Sequence, residues 1–253
     1  SSAALEMAAC LAIGKLNNID LPKPEWARIG QACENKYVGA NTGLLDQFTS
    51  LMGEANQLVR IDFRTLETST ISCPENAVFV VANSGVKHDL TLEYNERRER
   101  CEEAARDLKV KALRDVTPQQ LEAGKPTLDI MAYRRAKHVV GECDRVNRAA
   151  EALADEDLPT FGQILFESHA SSIDNFENSC SELDILVEAS RSLPGCYGAR
   201  LSGGGFGGIS IHLVEKAQAD LFQQRLAEAF KSRTGRELQT MICQVGQGAE
   251  IDV

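Results

Sequence analysis

No stretch of this chain reaches the roughly 18 to 20 uninterrupted apolar residues that a membrane-spanning helix requires, and its first residues do not read as a secretory leader. The eight cysteines (Cys10, Cys33, Cys73, Cys101, Cys143, Cys180, Cys196 and Cys243) contain no C-x-x-C pair. In a chain this long, that absence predicts free thiols in a reducing, cytoplasmic compartment rather than a disulfide framework. The four histidines lack the spacing of zinc ligands, so no structural zinc is expected. Basic charge is in deficit: 27 Lys and Arg stand against 37 Asp and Glu, a net charge of −10. That balance argues against nucleic-acid or anionic-membrane partners, which need a basic face. It leaves phosphate ligands open, because backbone N–H groups can hold a phosphate inside an acidic protein. No Walker A sequence, internal repeat or low-complexity tract occurs.

What is present is ordinary globular usage, 43% hydrophobic and 25% charged. At 253 residues the chain can form one large or two modest domains and bury a sizeable core. It opens Ser1-Ser2-Ala3-Ala4-Leu5-Glu6 without an initiator methionine, which reads as a chain cut inside an element. The apolar spacing predicts a buried helix over 3–16 and a second over 25–37, with Pro22 and Pro24 between them. A loop is expected from Tyr37 to Gly43, then a short helix or turn from Asp46 to Leu51. Strands are expected at 58–63, 68–72 and 77–82, and a charged helix with one apolar stripe at 90–109.

The clearest helix pattern runs over 128–154, with Ala132, Ala136, Val139, Cys143, Val146, Ala150 and Leu153 every three or four positions. Another helix is expected over 161–172. A third starts at Ser181, with Ser181 and Asp184 as a capping box. Gly203 to Gly208 leads into a strand at 209–214, an amphipathic helix follows at 216–231, and Met241, Cys243 and Val245 alternate in a last strand. Helices and strands mix without a strict βαβ repeat, which favours an α+β fold over a doubly wound sheet.

Five glycines in the six positions 203–208 formally match G-x-G-x-x-G. A dinucleotide loop should follow a strand and open a helix; this one opens a strand, so that reading fails. Either a tight hairpin turn or close backbone approach to a ligand remains. Asp46 sits after a Gly/Asn-rich loop as a helix cap or a catalytic carboxylate. His88 and Asp89 follow the predicted buried strand as a functional loop or a solvated turn. Arg97, Arg98 and Arg100, and likewise Arg134, Arg135 and Lys137, read as helix-surface ion pairs.

Together these segments resemble the galactokinases, a family of the GHMP small-molecule kinases. The similarity covers essentially all 253 residues, in order. Ser1-Ser2-Ala3-Ala4-Leu5-Glu6 resembles the end of the Gly-rich second motif. Gly43-Leu44-Leu45-Asp46-Gln47-Phe48 resembles the segment around the active-site Asp. Val86 to Leu90 with Glu93 to Arg98 resembles the sugar-side strand and helix, and Leu201 to Gly208 the third motif.

The resemblance implies an α+β, two-lobed GHMP-kinase fold with its N-terminal lobe truncated: residues 1–50 a remnant of that lobe, and 51–253 the C-terminal lobe. It implies transfer of the ATP γ-phosphoryl group to the anomeric hydroxyl of galactose, with Mg²⁺. It assigns Asp46 as the residue that accepts or electrostatically orients the hydroxyl proton. Gly43 and Tyr94 match sugar contacts. Ser1 and Ser2 match the phosphate loop, with Ser2 at the metal, and Gly203, Gly204 and Gly205 line the nucleotide side of a cavity shared with Asp46.

The first motif, with its Arg, Glu, His and Asp, has no counterpart here, nor do the glycines that precede Ser1. Asn41-Thr42 replaces a usual Pro-Cys, and Ser171 to Phe176 departs from a more charged run. These departures imply no appreciable turnover by residues 1–253 alone and self-association through uncovered apolar surface. They also leave open a non-catalytic sugar or nucleotide sensor, and a kinase for N-acetylgalactosamine or arabinose.

Overall fold

The computed structural model describes residues 2–39, 42–87 and 91–251. Contacts divide the chain into two compact units, Ser1–Pro74 with Gln244–Val253, and Glu75–Cys243.

The first unit is built on α1 (Ser2–Leu16), α2 (Lys23–Cys33) and α3 (Leu45–Met52), which pack on one another. Met7, Trp26, Ala27, Phe48 and Leu51 form their core. α1 is apolar on every side, so burying one stripe leaves Leu5, Ile13 and Leu16 exposed. α2 does not end at Cys33 but loosens into a π-turn, Glu34–Val38, stopped by Gly39 at φ +83°. Tyr37, expected in a loop, therefore lies in that turn. The hairpin β1 (Gln57–Ile61) and β2 (Thr68–Ser72) pairs antiparallel with Gln57 opposite Ser72. The returning C-terminal segment is stitched to α3 and the turn after it: Gly248 N–H donates to Gly53 O (2.9 Å) and Ala249 N–H to Ser50 O (2.7 Å).

The second unit begins with β3 (Ala77–Asn83) and α4 (Thr91–Asp107). It continues through α5 (Pro118–Gly124), α6 (Ile130–Ala154), α7 (Leu158–Ser171) and α8 (Ser181–Arg191). The hairpin β4 (Cys196–Ser202) and β5 (Ile209–Glu215) follows, then α9 (Ala219–Thr234) and β6 (Gln239–Cys243). Its sheet has the order β4-β5-β3-β6 with every neighbour antiparallel. The predicted α+β class is what forms, because among the described residues every strand pair is antiparallel and no parallel crossover builds a doubly wound sheet. Val80, Ala82 and Val214 bury against Leu186, Ala189, Phe222, Leu226 and Phe230 from α8 and α9. α4 and α6 share a separate core around Ala104, Ala105, Ala132, Tyr133 and Ala136.

Several local expectations are corrected. In the α6 stripe Ala132, Ala136 and Leu153 are buried as expected, but Cys143 and Val146 are exposed and the buried face also takes in Tyr133, Arg135 and Val140. The capping box at Ser181 does not form. Cys180 is the N-cap, Ser181 already lies in the helix and bonds Glu182, and Asp184 is taken by the Ser179 hydroxyl. A capping box does exist at Thr117 and Gln120, opening α5. In β6, Met241 is exposed and Val245 lies beyond the strand.

Arg97 and Arg135 are not surface pairs. Arg135 is 1% exposed and donates to Asn175 O (2.6 Å) and the Glu177 carboxylate (2.7 Å). Both guanidiniums close a second π-turn, Ser172–Phe176, whose free carbonyls need donors that helix geometry does not supply. Arg98 and Arg100 do pair along the surface with Glu102 and Glu103.

Two buried histidines make the fold acid-sensitive. His212 is fully buried, with Ser190 Oγ 2.7 Å from Nδ1 and Ser210 Oγ 2.8 Å from Nε2. The Ser190 hydroxyl also donates to Leu186 O, so Nδ1 carries the ring proton and Nε2 accepts from Ser210. His138 stacks on Phe176 with centroids 4.5 Å apart. Burial pushes His212 down to about 3 and His138 to about 4. The unfolded chain protonates both near ~6.5, so below that pH it takes up protons that the folded state refuses. Their contribution is complete above about pH 7 and declines as pH falls toward 4. From pH 7 to pH 5 we expect a loss of roughly 2 kcal/mol per histidine. Urea midpoints at the two pH values check this, and equal midpoints would contradict it.

Candidate active site

One expected site residue of the first unit, Ser2, is bound to a buried carboxylate, Glu34, that no sequence motif marks. Ser2, at the start of α1, donates its hydroxyl to Glu34 Oε1 at 2.6 Å. Thr42 donates Oγ1–H to Glu34 Oε2 at 2.7 Å. Glu34 is only 9% exposed, and the Ser2 and Thr42 hydroxyls hold its carboxyl below the usual carboxylate range. No local pattern marks Glu34, since its partner Ser2 lies 32 residues away. The π-turn is what points it back toward α1.

Thr42 is fixed further by Asn35, whose Oδ1 accepts the Thr42 N–H at 3.0 Å, and by Gln31, which donates to the Thr42 carbonyl. Thr42 thus gives Glu34 its second hydroxyl donor. Directly after it come Gly43, exposed and with nothing within 4 Å of where a Cβ would stand, and Asp46 in the first turn of α3. A negative charge is favoured in a first helical turn, where backbone N–H groups lack partners. Asp46 is exposed, and among the described residues it has no hydrogen-bond or ion-pair partner. Behind it the buried Gln47 reaches Glu6 of α1.

In the second unit, Gly203 to Gly208 form the turn of the β4–β5 hairpin, so the hairpin reading describes the backbone. Gly203 and Gly204 are exposed, whereas Gly205 is buried. A Cβ on Gly205 would lie 2.0 Å from Asn178 O, and one on Gly207 2.6 Å from Val86 O. Glycine is obligatory at both places because another backbone passes too close. Ser84 N–H and Oγ–H both donate to Gly208 O at 2.8 Å. The turn is therefore clamped on one flank and open at Gly203 and Gly204. Tyr94 lies on α4, and its side chain, like Ser1, His88 and Asp89, is outside what the structure describes.

A cavity of about 620 Å³ in the first unit is lined by Lys23, Met52, Gly53, Glu54, Thr68 and Gln247. It opens at the C-terminal end of α3, roughly 9 Å along the helix from Asp46 at 1.5 Å per residue, and holds none of the expected site residues.

A clamped glycine turn, a serine–carboxylate pair and an exposed Asp in the first turn of a helix are parts that a small-molecule kinase could use. The comparisons agree. Residues 1–54 match the family description "GHMP kinases N terminal domain", and residues 149–232 match "GHMP kinases C terminal". Mevalonate kinase of L. major in complex with R-mevalonate shares the fold at 19% identity, with a TM-score of 0.61 over 98% of this chain and 66% of that one.

Galactokinases match far more closely. That of Glaesserella parasuis serovar 5 is 43% identical over 99% of this chain and 67% of its own length. That of Chloroflexus aurantiacus is 42% identical over 98% and 65%. The crystal structure of Lactococcus lactis galactokinase complexed with galactose superposes with a TM-score of 0.93 at 31% identity, over 98% of this chain and 66% of that one. The chain belongs to the galactokinase family of GHMP kinases, and it spans about two thirds of the length of these relatives.

Proposed function

We propose that the protein transfers the γ-phosphoryl group of ATP to the anomeric hydroxyl of galactose. The observation that carries the reading is the near-complete superposition on a galactokinase holding galactose. In this step the sugar oxygen bonds to the γ-phosphorus, the bond from that phosphorus to the bridging oxygen breaks, and ADP leaves. Such transfer depends on positioning and charge neutralisation more than on covalent chemistry.

Asp46 would accept or orient the departing hydroxyl proton; its exposure in the first turn of α3 supports either role. Gly43 and Tyr94 would contact the sugar. Ser1 and Ser2 would border the phosphates, as would the exposed Gly203 and Gly204 and the buried Gly205 beside them. Residues 1–50 read as part of the family's N-terminal lobe and 51–253 as its C-terminal lobe, supported by the N-terminal domain match over 1–54.

Mg²⁺ favours oxygen ligands and is commonly held by one or two carboxylates together with substrate phosphates. Ser2 and Glu34 fit it: two side-chain oxygens 2.6 Å apart, one of them on a carboxyl held ionised. Among the described residues no group of three His, Cys, Asp or Glu could hold a metal by itself, which suits an ion shared with phosphate. When bound, the ion would neutralise phosphate charge. Among the described residues no helix is long and apolar enough to cross a membrane, and the eight unpaired thiols support a reducing, cytoplasmic setting.

ADP release, measured on the protein expressed from its gene with galactose, N-acetylgalactosamine and arabinose, tests the reading. We expect galactose to give the highest kcat/KM by at least about tenfold, since a site built to bond each hydroxyl discriminates strongly against altered sugars. Preference for another sugar, or no sugar-dependent ADP release, would overturn it.

A further inference from the structure

Phe206 adopts a backbone conformation that suits glycine. Its φ is +59°, between Gly205 at +85° and Gly207 at +142°. A bulky L-residue held there is strained, and such strain persists only where the surroundings over-determine it. Here they do. The Phe206 N–H donates to Asn178 O at 2.6 Å. Its ring lies under the Arg97 guanidinium, 5.1 Å from the ring centroid.

Arg97 is itself immobilised. Its Nε donates to Phe176 O (2.9 Å), Nη2 to Glu177 O (2.7 Å) and Nη1 to the Glu96 carboxylate (2.6 Å), and its side chain is 14% exposed. The carbonyls it grips belong to the π-turn and to Glu177, another non-glycine residue at positive φ. Arg134 and Arg135 fork onto the Glu177 carboxylate, at 2.5 and 2.7 Å. The next residue, Asn178, donates Nδ2–H to Gly204 O at 3.2 Å. Three arginines from α4 and α6 thus fix a turn, and that turn together with Arg97 fixes the glycine loop.

A flexible glycine loop binds phosphate poorly, because ordering its backbone costs conformational entropy at the moment of binding. A loop already held in shape avoids that cost. We propose that Arg97 and Phe206 are positioning residues for the nucleotide: their ring–guanidinium clip pre-orders Gly203 to Gly205, and neither touches the phosphates. The inference rests on the kinase reading above and on those glycines facing ATP.

The experiment is steady-state kinetics and thermal melting on the protein expressed from its gene. Phe206→Gly relieves the strained φ but removes the ring, so the melting temperature should hold or rise. The KM for ATP should nevertheless rise about tenfold, with the KM for galactose within about twofold. Arg97→Lys keeps the charge but loses the planar fork, and should give the same split. The double variant should be little worse than either alone, because either change opens the one clip.

An unchanged KM for ATP in Phe206→Gly overturns the inference. So does a parallel rise in both KM values with a lower melting temperature, which would mark a structural role only, and so does a multiplicative, roughly hundredfold loss in the double variant. If the unsubstituted protein shows no ATP-dependent phosphorylation of galactose, the kinase reading itself fails and takes this inference with it.

Discussion

Replacing Asp46 with Asn is expected to lower kcat for sugar phosphorylation by about 10²–10⁴-fold, the range that a positioned proton acceptor contributes, while leaving the fold intact. The expectation joins two observations. Asp46 stands in the first turn of α3 in the segment that resembles the family's catalytic stretch, and it is exposed without a partner among the described residues. An exposed residue without partners contributes little to stability, so the melting temperature should move by no more than about 0.5 kcal/mol implies. The combination is informative because the two measurements separate. Loss of kcat at constant stability and constant ATP affinity places Asp46 at the chemical step. Retention of activity within tenfold would remove it from that role, whatever the resemblance implies.

The largest effect on stability should come from a single methyl group. Gly162 of α7 and Gly198 of β4 face each other at backbone contact. A Cβ on Gly198 would lie 1.9 Å from Gly162 O, and one on Gly162 would lie 2.1 Å from Tyr197 O. Neither glycine has a positive φ, so the requirement is proximity and not backbone freedom. The obstructing atoms are carbonyl oxygens of a helix and a strand, which cannot swing aside as a side-chain end can. Gly198→Ala must therefore push α7 off the sheet and open the Phe166, Val187 and Ala199 cluster. Overpacking ordinarily costs about 1–3 kcal/mol. A clash between two backbones should exceed that, at roughly 3–5 kcal/mol, or abolish folding. Gly246→Ala is the control, since nothing lies within 4 Å of its would-be Cβ, and it should be neutral to about 0.5 kcal/mol. Chemical denaturation of both variants decides the matter: equal stability would mean that the α7–β4 contact relaxes cheaply.

Much was legible before any coordinates. Residue pattern located α1, α3, β2, β3, α6 and α9 to within a few residues, and in α3, α6 and α9 it did so because burial of one face leaves a repeat in the chain. The absence of a βαβ rhythm gave the α+β class, and the glycine cluster marked the turn now seen between β4 and β5. Local pattern failed where partners are remote. Arg97 and Arg135 carry the same charge as Arg98 and Arg100. Nothing in their spacing tells that two of them abandon the surface to close a π-turn about 40 or 80 residues away. Ser181 satisfied a capping pattern that Ser179 and Cys180 pre-empted.

The chain by itself determined which segments are helix or strand, where glycine must bend it, and which family motifs stand in which order, since these are local properties of residue type and spacing. Only the tertiary structure decided that Glu34 is the carboxylate beside Ser2, that Gly162 and Gly198 exist to let two backbones touch, and that three arginines converge on one turn. The physical reason is range. Periodicity and turn chemistry act over a few residues, whereas a hydrogen bond, an ion pair or a backbone clash is set by where the folded chain returns, and the energy of that return is not written at either end of it.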